Sequence, residues 1–282
     1  MNKIGIKIDE DKIREFINDM ILEPRKKALK WSEITKQTPA LNIGYPAQHL
    51  ASLLTGYEGK RSGARGDDIS DGTEVRACNR VDQVDECQSC GEKVMRSENS
   101  CSSCGCQKIK RKNDSKWLFT IRSEKELHEL LVTKRVLLLL TDYPDFEKNN
   151  FDKIRIRAFE LYPQDERHSK FVEIMKNYYY DIYSKNLERN PKKVPAPKNF
   201  WPESYQFYLS NPIKIFECNI SSVNENPCID SIYFISPEAD RKNLISENLP
   251  KSLLKKEELT LVSQVKSDFL NENEKKVLCL RD

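Results

Sequence analysis

The sequence predicts an α/β protein, a mixed β-sheet with helices on its faces, broken by one small cysteine-rich insertion. Three observations carry this. Apolar runs suited to strands alternate with helical periodicity in the order strand, helix, strand, strand. A hydrophobic content of 38% beside 32% charged residues suits a globular chain, and 282 residues suffice for one large core or two modest ones. Five of the nine cysteines, Cys87, Cys90, Cys101, Cys104 and Cys106, crowd into 20 residues, while Cys78, Cys218, Cys228 and Cys279 are scattered. That pattern suits a metal site with ordinary buried thiols better than a disulfide framework.

The elements follow in order. Asp9 to Lys30 has a helical period, with Ile13, Phe16, Ile17, Met20 and Ile21 on one stripe. A second helix runs from Pro46 to about Thr55, with proline in its first turn and Gly56 placed to cap its end. A charged, glycine-rich stretch, Gly56 to Gly66, leads to the turn signal Asp71-Gly72. The strand "TEVRAC" then places Glu74 and Arg76 on one side, Val75 and Ala77 on the other. Beyond the cysteines, Lys116 to Arg122 reads as a strand, and Ser123 to Lys134 as a helix with Ser123 at the cap and Glu126 in capping-box position. "VLLLLTDY" and "IRIRAFELY" are two further strands, and Glu166 to Arg189 is a helix bearing Tyr178, Tyr179, Tyr180 and Tyr183. The proline- and aromatic-rich stretch that follows matches neither period; "IKIFEC" and "SIYFIS" are strands, and the tail Leu249 to Asp282 is charged and partly helical. No internal repeat stands out. Three consecutive blocks result: an N-terminal helical region over 1–56, an α/β core over 57–165 interrupted by the insertion at 85–114, and a helical and β region over 166–282 for recognition or dimerisation.

The longest apolar run, Val136 to Leu140, falls far short of a membrane span, and the N-terminus lacks a signal-peptide core, so a soluble, cytoplasmic protein is expected. The net charge of +3 announces no polyanionic partner. Two local clusters, Lys108 to Lys116 and Asn190 to Lys198, would attract a phosphate backbone, though each alone is as readily a solvated face. His49, His128 and His168 lie far apart with no ligand spacing, which disfavours histidine-based nuclease chemistry.

"CQSCG" and "CSSCG" are two copies of C-x-x-C-G, with ten residues between the two cysteine pairs. Each forms a tight turn whose glycine allows positive φ, and ten residues span one short hairpin. Cys87, Cys90, Cys101 and Cys104 therefore form a tetrahedral thiolate site for Zn²⁺, with Cys106 a poorer-spaced spare. With four protein ligands no position stays open, so this zinc ribbon is structural.

Just before it, Asp67 or Asp68, then Glu74, then Arg76 converge across the Asp71-Gly72 turn, which suits hard-ion binding beside a cation. The plain alternative is a polar hairpin with a Glu74–Arg76 surface ion pair. Gly63 and Gly66 flanking Ala-Arg just before the acids, the clustering of acids and arginines without a periodic reason, and the adjacent ribbon weigh against it. Asp142 and Asp145, after the Val136 strand, would extend the acidic group, although strand-end loops often carry acids.

"GDDISDGTEVR" resembles the motif of the PD-(D/E)XK nuclease superfamily, and the stretch from Gly56 to Arg122 resembles a type II restriction endonuclease family typified by MamI. The resemblance implies a restriction-endonuclease-like mixed sheet and sequence-specific, Mg²⁺-dependent cleavage of double-stranded DNA. It implies that Asp68 and Glu74 bind the ion, with Asp67 the alternative first acid and Glu58 an additional one. Arg76 stands where the superfamily has lysine, and arginine cannot act as a base. A homodimer is expected, since each chain carries one candidate site, and a cognate DNA methyltransferase would accompany it. Lys198, Trp201 and Tyr205 would form part of the recognition surface; the tyrosines at 178–180 and 183 fit core packing better than base stacking. The competing reading is a non-catalytic zinc-ribbon DNA-binding protein or decayed nuclease, and an RNA-processing nuclease shares the same metal site.

Overall fold

A computed structural model describes residues 2–60, 67–241 and 243–258. Gly63, Gly66 and the tail beyond residue 258, with Cys279, lie outside the described residues. The chain starts with a long helical rod: α1 (Glu10–Ile17), a π-helical segment (Asn18–Leu22) and α2 (Glu23–Thr35). Asp9 caps α1, accepting from the Lys12 N–H at 3.2 Å. Ile13, Ile17 and Ile21 are buried as the stripe requires, but Met20 is exposed and Leu22 and Arg25 turn inward. The π segment explains this, because its wider turn rotates every later side chain around the axis. After α3 (Gly44–Thr55), Gly56 adopts φ 75°, and a Cβ there would lie 2.9 Å from Pro237.

Then follow β1 (Thr73–Asn79), β2 (Asp85–Cys87), β3 (Lys93–Val94), β4 (Ile109–Lys110), β5 (Trp117–Phe119), α4 (Glu124–Val132), β6 (Arg135–Asp142) and β7 (Ile154–Leu161). The chain continues with α5 (Ser169–Asn177), a second π segment (Tyr178–Ser184), α6 (Lys185–Arg189), β8 (Lys198–Phe200), α7 (Tyr205–Leu209), β9 (Ile213–Ser221) and β10 (Cys228–Phe234). Five strands form a mixed sheet in the order β1-β6-β7-β9-β10. β9 and β10 are antiparallel with a register shift between Ile229 and Ser231. β6, the apolar run, is buried along its whole length.

Two compact units emerge, and neither is continuous in sequence, unlike the three consecutive blocks drawn from the sequence. The first comprises Met1–Lys116, Leu137–Phe159 and Ile215–Ala239. It contains α1 to α3, β1 to β4 and most of the five-stranded sheet; α3 packs on β1, and α1 on β10 and α3. Its buried Arg25 donates to the Val223 carbonyl at 2.9 Å and to Asp82 at 2.5 Å, and the Tyr143 hydroxyl donates to Asp82 at 2.9 Å.

The second unit comprises Trp117–Val136, Glu160–Lys214 and Asp240–Asp282. Here the sequence expectation needs correction: β5 does not join the main sheet but pairs antiparallel with β8, Trp117 opposite Phe200. The main sheet runs β1-β6-β7-β9-β10 without it. The segment that matched neither period supplies core: Phe200 and Phe207 are buried against Trp117, with Phe119 and Phe171 edge-on to Phe200. Tyr178 and Tyr183 are buried too, whereas Tyr180 is exposed. Glu160, fully buried, accepts from Arg135, Arg241 and the Tyr162 hydroxyl. His168 is buried, its Nδ1 2.9 Å from the Ser210 carbonyl oxygen. Among the described residues no helix is long and apolar enough to cross a membrane.

A carboxylate cluster on the edge strand and an adjacent four-cysteine centre

Both candidate sites lie in the first unit, the carboxylates just before and on β1 and the cysteines after it in sequence. Upstream, Glu58 to Lys60 pairs with Asp68 to Ser70: the Lys60 N–H donates to the Asp68 carbonyl and the Ser70 N–H to the Glu58 carbonyl, both at 2.8 Å. The turn that follows is local chemistry. Gly72 adopts φ 90° and donates to the Ile69 carbonyl at 3.1 Å, and the Asp71 carboxylate accepts from the N–H and hydroxyl of Thr73. Burial alternates from Thr73 to Arg76 as expected, then shifts phase on this edge strand, so that Ala77 is exposed and Cys78 buried.

The turn folds Asp68 back against β1. Its Oδ2 accepts the Val75 N–H at 2.8 Å, and its Oδ1 accepts from Gln48 Nε2 of α3 at 3.2 Å. Gln48 was not singled out by the sequence; the available signal was a long polar side chain on the same helical face as buried Ala51 and Thr55. Burial pushes the Asp68 carboxyl above its usual range, although the Val75 N–H and Arg76 pull the other way. Glu74 is pushed further, up to about 7, by burial first; Arg76 opposes this, while Asp68 and Asp67 add to it. Arg76 Nη2 lies 2.6 Å from Glu74 Oε1. The structure thus brings Asp67, Asp68, Glu74 and Arg76 into one electrostatic group whose buried carboxylates outnumber its cation. Such a donor set fits a hard divalent ion, which would supply the missing positive charge.

The other acids are placed differently. Asp67 Oδ2 is 3.1 Å from Lys60 Nζ, and Glu58 is an exposed side chain attached to the site through its backbone. Asp142 does not extend the cluster: it accepts from Arg155 at 2.9 Å and Arg157 at 2.5 Å, a buried structural pairing. Asp145 pairs with Lys148 within one exposed turn.

Downstream, β2 is the centre of a three-stranded antiparallel sheet in the order β3-β2-β4. Cys87, Cys90, Cys101 and Cys104 converge, their sulfurs all within 4.8 Å, with Cys87–Cys104 and Cys90–Cys101 each at 3.6 Å. A tetrahedral ion with bonds of about 2.3 Å requires sulfurs about 3.8 Å apart, so the four thiols fit zinc. Both turns close alike: Gly91 donates to the Cys87 carbonyl at 3.0 Å and Gly105 to Cys101 at 2.8 Å, with φ 75° and 70°. Backbone N–H groups of Cys90 and Ser89 lower the Cys87 thiol to about 6, whereas the neighbouring sulfurs push the Cys90 and Cys104 thiols up against their own backbone donors. Cys106 stands outside the quartet and packs with Ile109 against Cys87, Val94 and Cys101.

A buried charge group missed by sequence reading anchors this ribbon. Asp85, wholly buried, takes Arg96 at 3.0 Å, Arg111 at 2.9 Å and the Lys112 N–H at 2.8 Å. The Arg96 guanidinium lies 4.9 Å from the Phe151 ring centroid and 5.7 Å from that of Tyr143, both in the β6–β7 connection. Phe151 is far from the cysteines in sequence, and no local pattern marks it.

The MamI restriction endonuclease family matches residues 30–252, which includes both sites. Over 56 residues the chain is 36% identical to the type II restriction enzyme MamI of Microbacterium ammoniaphilum. That alignment covers 20% of this chain and 18% of the relative, so it spans less than a fifth of that protein. No solved structure matches the chain significantly. With its match running over most of the sequence, the chain belongs to the MamI restriction endonuclease family.

Proposed function

We propose that the chain is a sequence-specific endonuclease of double-stranded DNA that hydrolyses phosphodiester bonds with Mg²⁺. The observation that carries this is Glu74, a carboxylate whose burial raises it to about 7 beside Asp68, with Arg76 as the cation on the same strand. Asp68 and Glu74 would hold Mg²⁺, which when bound lowers the pKa of water and neutralises charge at the scissile phosphate. Gln48 and the Val75 N–H orient the Asp68 carboxylate. Arg76 does not take a proton from water; its N–H groups face charge developing on the phosphate oxygens. Asp67 and Glu58 add negative potential at the rim. Cys87, Cys90, Cys101 and Cys104 would hold a structural Zn²⁺. A two-fold dimer would bring a second site to the opposite DNA strand. A methyltransferase of matching specificity would protect the host's DNA.

The test is incubation of purified protein with unmethylated plasmid, with Mg²⁺ and without added divalent ion. Discrete, reproducible fragments only with Mg²⁺ are expected. Arg76 in place of lysine favours one second reading, a DNA-binding protein that has lost cleavage; retarded but intact DNA under every metal condition would establish it instead.

A further inference from the structure

The ribbon sorts its charges by face. β2 places Asp85 and Cys87 inward and Glu86 outward; β3 places Val94 inward and Lys93 outward. On β4 and its continuation, Ile109 packs on the cysteine core and Arg111 turns in to Asp85, whereas Lys108 and Lys110 are exposed. The register sets Lys93, Glu86 and Lys110 in one row across the sheet. Lys93 Nζ lies 3.7 Å and Lys112 Nζ 3.5 Å from Glu86 Oε2. Three lysines therefore surround one glutamate, with Lys108 beside them, and the face has excess positive charge. Both arginines are buried in structural pairs while the exposed positions are lysines, which hold their charge in water on flexible stems.

This face is also fixed. The four-cysteine centre closes the ribbon, Asp85 ties both arginines beneath it, and the connection from β1 to β2 is only residues 80–84. Lys108, Lys110 and Lys112 at alternate positions span about 13 Å along the strand, and the row across three strands spans about 10 Å.

We propose that the outer face of the ribbon, Lys93, Lys110 and Lys112 with Lys108, is a docking surface for the phosphate backbone of duplex DNA, carried on the same unit as the carboxylate cluster. It rests on the endonuclease reading and assigns that enzyme a contact outside its cutting site. The contact carries no sequence information; it sets register and holds the substrate. Glu86 limits its strength.

The test is the salt dependence of binding to a fluorescent duplex in Ca²⁺, comparing the unsubstituted protein, the triple variant Lys93→Gln/Lys110→Gln/Lys112→Gln and Glu86→Gln, each checked for zinc content and Tm. Each lost phosphate contact removes about 0.9 from the slope of log K against log salt, so three contacts remove about 2.7. Between 50 and 200 mM salt the unsubstituted protein should then lose about 40-fold more affinity than the triple variant. Glu86→Gln should tighten binding at low salt and steepen the slope. An unchanged slope in the triple variant with zinc retained overturns the proposal and leaves the endonuclease reading intact. Should the triple variant lose zinc, an unchanged affinity of Glu86→Gln overturns it. Absence of duplex binding by the unsubstituted protein overturns both readings.

Discussion

Replacing Glu74 by glutamine should stabilise the metal-free protein at alkaline pH while ending cleavage, because the two effects share one cause. Burial raises Glu74 from 4.5 to about 7 against the help of Arg76. A carboxyl whose folded pKa lies above its unfolded one binds a proton in the native state over that interval, so stability falls as pH rises through it. The penalty is absent below about 4.5 and complete above about 7. A shift of about 2.5 units at 1.36 kcal/mol each amounts to about 3 kcal/mol as an upper figure. Glutamine keeps the shape and an acceptor for Arg76 without the charge. In metal-free buffer, Glu74→Gln should match the unsubstituted protein near pH 5 and exceed its Tm at pH 8 by about 6–12 °C. Added Mg²⁺ should narrow the gap, since binding to the intact cluster stabilises only the protein that retains both ligands. Thermal scans at four pH values, with and without Mg²⁺, read all of this. A pH-independent difference, or a lower Tm for the variant at pH 8, would mean that Glu74 and Arg76 form an ordinary surface pair.

Gln48→Ala should leave Asp68 held by Val75 alone, weakening the Mg²⁺ dependence of cleavage by about 10-fold with Tm nearly unchanged, as a metal titration of the rate would register. Arg25→Ala strands buried Asp82 and should cost about 3–5 kcal/mol by denaturant unfolding, while Arg25→Met, which fills the space, should leave a similar unpaired charge. Cys101→Ser should reduce bound zinc from one per chain and lower Tm by more than about 5 °C, whereas Cys106→Ser should retain the zinc, by metal analysis beside calorimetry.

These sites were legible to different degrees because they depend on different ranges of sequence. The four converging cysteines sit in two five-residue turns, and each glycine's positive φ belongs to its own turn, so their spacing alone suggested a metal site. Asp68, Asp71, Gly72 and Glu74 form one hairpin and were readable for the same reason. Gln48 reaches Asp68 from a helix 20 residues earlier, and Arg96 and Arg111 reach Phe151 across the whole ribbon. No periodicity announces such pairs. β6 was plain because a strand buried on both faces is apolar throughout, whereas β5 paired with a strand some 80 residues later that proline-rich surroundings concealed. The stripe over Asp9 to Lys30 failed at Met20 because periodicity assumes an unbroken 3.6-residue turn, which the π segment interrupts.

The central claim, that Asp68 and Glu74 form the cutting site, is tested most directly by cleavage of unmethylated duplex DNA with Mg²⁺ by the unsubstituted protein, Asp68→Asn and Glu74→Gln at matched zinc content. The account expects discrete fragments from the first, at least about 100-fold slower cutting by both variants, and duplex binding by all three. Undiminished cutting by either variant would contradict it.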